Sequence, residues 1–167
     1  MNRGLRIEIC VLSRGLMLLL AVLGLVGALC AADPFVGTWK VDLAKSRTSY
    51  PLEIPLQGSF TTKVEEQGKG IKVVEDLTWA DGNAIQRRWS AKYDGRDYPV
   101  EGDPRMDAIS LKKANPNTID YVVKKSGKQF ASGEWVVSKN GKTSTNIGRT
   151  KANEGPIYTY DFFLKKQ

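Results

Sequence analysis

Histidine is absent from this chain and cysteine nearly so: its 167 residues include no His and two Cys. Both cysteines, Cys10 and Cys30, fall within the first 32 residues, so a chain beginning at Asp33 has neither. Disulfides, thiolate nucleophiles, imidazole bases and Cys/His metal sites are thereby excluded for that part. Such a domain must be held by its core alone. Also missing after residue 32 are any long apolar run and any long stretch with helical periodicity. At this length the chain suits one domain with a proper core.

The amino terminus differs from everything after it. Arg3, Arg6 and Arg14 make a positive leader in which Glu8 is the one acid, and Leu16 to Leu29 is almost unbroken apolar sequence. That run is about 14 residues long, shorter than the roughly 20 that span a bilayer as a helix. Small residues follow at Ala28, Ala31 and Ala32. A positive start, a short apolar middle and a small-residue exit make a helical signal peptide over 1–32. Cleavage after Ala32 fits best, and the location expected is periplasmic or secreted, in a bacterium. Lipid anchoring through Cys30 fits less well, because Leu29 stands where a lipobox has Gly, Ala or Ser. Removing the four leader charges from 25 basic and 18 acidic residues leaves a net +5.

From Ser59 onward, short β-rich runs alternate with glycine-centred turns. Phe60 to Glu66, Ile71 to Ala80 and Ala84 to Tyr93 come first, and Asp94-Gly95-Arg96 reads as the next turn, before a stub Asp97 to Val100. Ala108 to Lys113, Thr118 to Lys125, Gln129 to Ser138, Lys142 to Thr150 and Ile157 to Lys165 complete the series. Asp-Gly and Asn-Gly provide the positive φ of tight hairpins. Before them, Phe35 to Leu43 alternates, with Trp39, Val41 and Leu43 on one face. Ala44 to Gly58 carries Pro51 and Pro55 and reads as an extended crossing loop. Strands so evenly spaced predict an all-β domain over 33–167, an antiparallel up-and-down barrel of about 8–10 short strands that hides its own edges. A two-sheet sandwich is the second arrangement.

The hairpin around Asp81-Gly82-Asn83 is the most informative stretch. A three-residue turn there pairs Trp79 with Ile85, Leu77 with Arg87, Glu75 with Trp89, Val73 with Ala91 and Ile71 with Tyr93. Nearly every large apolar residue then shares one face, and Glu75 and Arg87 become diagonal neighbours on it. As a binding pocket, Trp39, Trp79, Trp89 and Tyr93 line a cavity that Arg87 and Glu75 anchor. As plain core, the same aromatics fill a small solid barrel.

Other chemistries have less to stand on. Asp94, Asp97, Glu101, Asp103 and Asp107 crowd one region, and a glycosidase-type carboxylate pair or a calcium loop is conceivable there. Aspartates beside glycines more often shape turns. The pairs Arg87-Arg88, Lys112-Lys113, Lys124-Lys125 and Lys165-Lys166 lie on strands, where neighbours face opposite ways. They read as solubilising charge rather than a nucleic-acid surface.

Phe35-Val36-Gly37-Thr38-Trp39-Lys40 resembles the opening strand of calycin-type barrels, the lipocalins and fatty-acid-binding proteins, with their Gly-x-Trp. The chain from Asp33 is also similar to uncharacterised exported bacterial proteins that start Gly-Thr-Trp-Lys. The shared segments are Gly37 to Ser46, Tyr93 to Val100 and Val137 to Thr143. The calycin resemblance implies a basic residue stacked on the signature tryptophan, with Lys165, Lys166 and Arg149 as the choices. It departs from the fatty-acid binders at two places: prolines replace a helical lid, and Tyr158-Thr159-Tyr160 lacks their Arg-x-Tyr arginine.

The expectation is therefore an exported lipocalin-like domain, not an enzyme, holding a small apolar or amphipathic ligand. It carries no cofactor, no catalytic set and no metal site, binds no nucleic acid, and is not stably inserted in a membrane once the leader is gone. The alternative is a structural or protein-interaction module of the cell envelope with a filled core. A cavity above roughly 300 Å³ suits the binder, and a solid interior suits the module.

Overall fold

The computed structural model of the protein describes residues 32–49, 58–79, 81–151 and 157–167. The leader, both cysteines, Pro51 and Pro55 lie outside the described residues. All the described residues but Ala32 belong to one unit, Asp33–Gln167.

Its strands are β1 (Gly37–Val41), β2 (Arg47–Thr48), β3 (Ser59–Gln67), β4 (Gly70–Thr78), β5 (Ala84–Lys92) and β6 (Asp94–Glu101). They continue with β7 (Ala108–Asn115), β8 (Thr118–Lys125), β9 (Lys128–Val137), β10 (Thr143–Lys151) and β11 (Ile157–Lys166). Ten of them, β1 and β3 to β11, follow one another in chain order around one antiparallel sheet, which closes because β1 pairs with both β3 and β11. Closure rules out the sandwich and gives the calycin-like up-and-down barrel, with ten staves where lipocalins have eight. The first residues of the crossing loop, up to Ser49, are more structured than expected. After β1 the chain makes one 3-10 turn, Leu43–Lys45, and β2 then runs along the half of β11 that β1 leaves unpaired.

Alternation decides which side chains point in. On β8 Ile119, Tyr121 and Val123 are buried, and on β9 Ala131, Trp135 and Val137 are. Period two on such staves puts one side of the sheet into the core.

Two local expectations need correction. In the central hairpin Leu77 faces Ile85, Glu75 faces Arg87, Val73 faces Trp89 and Ile71 faces Ala91. That register is two residues away from the one expected, because the Trp79 N–H donates to the Asn83 carbonyl and so draws Asn83 out of the turn and into the pairing. A slip of two preserves which face each residue occupies. The inward set is as the sequence reads it, but Glu75 and Arg87 are directly opposite rather than diagonal. The second correction is at Asp94-Gly95-Arg96, which opens β6 instead of forming a free turn. A bulge between Asp94 and Asp97 absorbs the irregular register against β7.

The end of the barrel holding the amino-terminal segment is packed solid. Phe35 and Trp39 are wholly buried. Both meet Trp135 edge-on, with ring centroids 5.1 Å and 6.4 Å away, and the Trp39 indole N–H donates to the Phe35 carbonyl at 2.8 Å. Lys166 is the basic residue over the tryptophan, its Nζ 5.2 Å from the ring centroid. A Cβ on Gly37 would come within 2.3 Å of Lys166 Cε, and Gly37 sits at φ +138°. The glycine of the Gly-x-Trp signature thus makes way for the lysine stem that covers the indole.

Trp39→Ala is expected to lower unfolding free energy by about 3–5 kcal/mol, the usual cost of deleting a fully buried aromatic. Urea denaturation checks it, and an unchanged midpoint would contradict the structural role given to Trp39.

Candidate functional site

Beyond the plug, the interior keeps a cavity of about 150 Å³. That is under the 300 Å³ at which ordinary ligand pockets begin, yet an apolar cavity of this size takes up benzene. The interior is neither the large pocket nor the solid core that the sequence posed as alternatives. Its aromatic walls include Phe60, Trp89, Phe130, Trp135 and Phe162.

Two polar groups interrupt those walls. The first is built on a buried guanidinium. Arg87 Nε lies 3.0 Å from Glu75 Oε2, and both side chains are nearly buried, at 12% and 14% exposure. This Nε–H makes no hydrogen bond, so the contact with Glu75 is Coulombic. Arg87 Nη1 makes long contacts, 3.5 Å to Asp103 Oδ2 and 3.6 Å to Met106 Sδ. Asp103 is fully buried and is gripped by Arg105, whose Nε and Nη2 donate at 3.0 Å and 2.8 Å while its backbone N–H donates at 2.9 Å. Burial alone would raise the Asp103 pKa. The bonds from Arg105 and the charges of Arg105 and Arg87 outweigh burial and hold it below the ordinary 3.8. Two cations and two anions therefore face one another around the Arg105 end of the cavity.

The second group is a pair of phenols. Tyr121 on β8 pairs with Gly133 on β9, Gly133 with Gly148 on β10, and Gly148 with Tyr160 on β11. The row Tyr-Gly-Gly-Tyr crosses four adjacent strands, and its two bare glycines let the rings lean together over the backbone. Their hydroxyls meet at 2.5 Å, and Tyr121 donates to Asn146 Oδ1 at 2.6 Å. A Cβ on either glycine would fall 2.5 Å from the Tyr121 oxygen, and one on Gly133 only 2.2 Å from the Ile147 carbonyl. Burial pushes both phenols above their ordinary pKa, so they are neutral hydrogen-bonding groups.

Of the residues singled out in the sequence, Glu75, Arg87 and Trp89 line the cavity, and the Trp89 indole N–H makes a long 3.5 Å contact to Glu75. Trp39, Trp79 and Tyr93 do not line it. Trp39 belongs to the plug. Trp79 directly follows β4, under the Arg105 guanidinium at 5.5 Å. Tyr93 lies at the plugged end, where its hydroxyl donates to Asp33 at 2.8 Å and Lys113 Nζ approaches both groups. Burial, then the bond to Asp33, drives its pKa up. Sequence reasoning missed Tyr121, Asn146 and Tyr160 as lining residues. The signal was present as a tyrosine on each side of two mid-strand glycines, but it needs the pairing of four strands to be read.

The acidic stretch is distributed among structural tasks. Asp94 accepts from the Arg96 backbone and Tyr98, Asp97 from Lys124, and Asp107 from the Ser126 backbone. Among the described residues, no three or more acids converge as metal ligands would.

No protein-family profile matches the chain, and no curated protein matches it in sequence. Solved structures similar to it include two that span most of its length. One is EF1p2_mFAP2b bound to DFHBI, at 14% identity and TM-score 0.44, over 82% of this chain and 97% of that one. The other is apocrustacyanin C2, at 13% identity and TM-score 0.44, over 81% of this chain and 62% of that one. Neither likeness is close enough to bear on function.

Because the folded pKa of Asp103 is depressed, its contribution is present above the unfolded value near 3.8 and is lost as pH falls through the folded one. Asp103→Asn is expected to be less stable at pH 7 and to lose less stability on acidification below about pH 4 than the parent chain. Parallel stability–pH curves for the two would contradict this.

Proposed function

We propose that the protein is an exported binder of one small molecule, held inside the barrel, and not an enzyme. The observation that carries this reading is the residual cavity of about 150 Å³ with its own built polar groups. A core under selection for stability alone closes such space, since each unfilled methyl-sized gap costs about 1 kcal/mol. An interior mostly apolar with a few convergent polar groups is the usual make-up of a ligand site. Export is supported by the positive, apolar and small-residue succession of residues 1–32, with release after Ala32 into the periplasm or medium.

Native mass spectrometry of the protein purified from its host without denaturation is expected to show a small added mass that disappears on unfolding. Protein stripped by unfolding and refolded is expected to regain an occupant when benzene is supplied, seen as amide shifts around Tyr121, Trp135 and Phe162. No added mass together with no shift would contradict a binding role and return the barrel to a structural one. Amino-terminal sequencing of the same preparation is expected to begin at Asp33. A retained leader would contradict export by cleavage.

A further inference from the structure

We propose that the cavity's ligand is a neutral single-ring phenol, and neither a carboxylate nor an alkyl chain; this rests on the binding role just described. Size comes first. About 150 Å³ holds one six-membered ring and little more. The walls come second: aromatic faces and edges around a planar guest favour a ring through offset and edge-on contacts.

Charge decides against an acid. Arg87 is the obvious anchor for a carboxylate, but it already lies between Glu75 and Asp103, and Asp103 is further held by Arg105. The two cations and two anions cancel. A carboxylate entering here would add one uncompensated charge to an already balanced set, and burying an unpaired charge costs several kcal/mol. A neutral guest adds none.

The phenol row supplies the handle. Tyr121 has one proton, and it goes to Asn146 Oδ1. Tyr160 must then donate to Tyr121 across the 2.5 Å contact. That order leaves the Tyr160 oxygen as an acceptor and the Asn146 amide N–H as a donor, both on residues that line the cavity. A hydroxyl answers both, donating to one and accepting from the other, whereas a carboxylate only accepts and an alkyl chain does neither. The paired glycines Gly133 and Gly148 are the structural device that keeps this handle in place.

Titration calorimetry of the leaderless chain at pH 7 with phenol, benzene, benzoate and hexanoate tests the assignment. Phenol is expected to bind at least tenfold tighter than benzene, with benzoate and hexanoate weaker than either. In the Tyr121→Phe/Tyr160→Phe variant, which keeps both rings, phenol affinity is expected to fall at least tenfold while benzene affinity holds. Benzoate or hexanoate binding tighter than phenol would overturn the phenol assignment and leave a ligand-binding barrel standing. The same holds if the double variant binds phenol as well as the parent does. If none of the four binds to protein whose amide spectrum shows it folded, the assignment and the binding role both fall.

Discussion

A guanidinium buried inside a barrel has to be neutralised where it stands, and the Arg105 end of the cavity is organised by that need. Arg87 meets Glu75 directly across the central hairpin, and Asp103 approaches from the β6–β7 connection. Asp103 in turn orders its own loop by collecting three bonds from Arg105, and the Arg105 guanidinium lies over Trp79 at the hairpin end. One inward charge thus ties together two connections that are separate in sequence. Removing one partner of such a buried set is far more costly than removing both, because the survivor is left charged and dry.

The plugged end is governed by closure. The first stave is short, and the last strand serves both it and its continuation beyond the 3-10 turn. Trp39 fills the space at this seam, Phe35 and Trp135 lock it edge-on, and the Lys166 stem passes over Gly37 to cover it. Closing the ring pairs β1 on both sides, which removes the long free edges of an open sheet. Between seam and ion pairs lies the cavity, whose shape owes as much to the two facing glycines as to the aromatic walls.

Much of this was legible before any coordinates. Strand positions follow from period-two alternation and glycine turns, which are local signals. The inward face of the central hairpin was readable because parity survives a slip of two residues, though the direct Glu75–Arg87 pairing was not. Where the turn falls depends on Trp79 bonding Asn83, and nothing in Asp81-Gly82-Asn83 itself decides that. Trp39 and Tyr93 look like pocket residues in sequence because aromatic side chains suit plug and wall equally. Only their distance along the barrel axis separates the roles. The Tyr121–Tyr160 pair is invisible locally, since residues 39 positions apart meet through the register of three successive hairpins.

The central claim is that the interior charges cancel one another and so leave a neutral chamber. A double-mutant cycle on Glu75 and Arg87, read by urea denaturation, tests it most directly. Arg87→Leu and Glu75→Leu singly are each expected to cost about 3–5 kcal/mol, and the double variant markedly less than their sum. Strictly additive losses would mean that the two charges do not depend on each other, contradicting the claim.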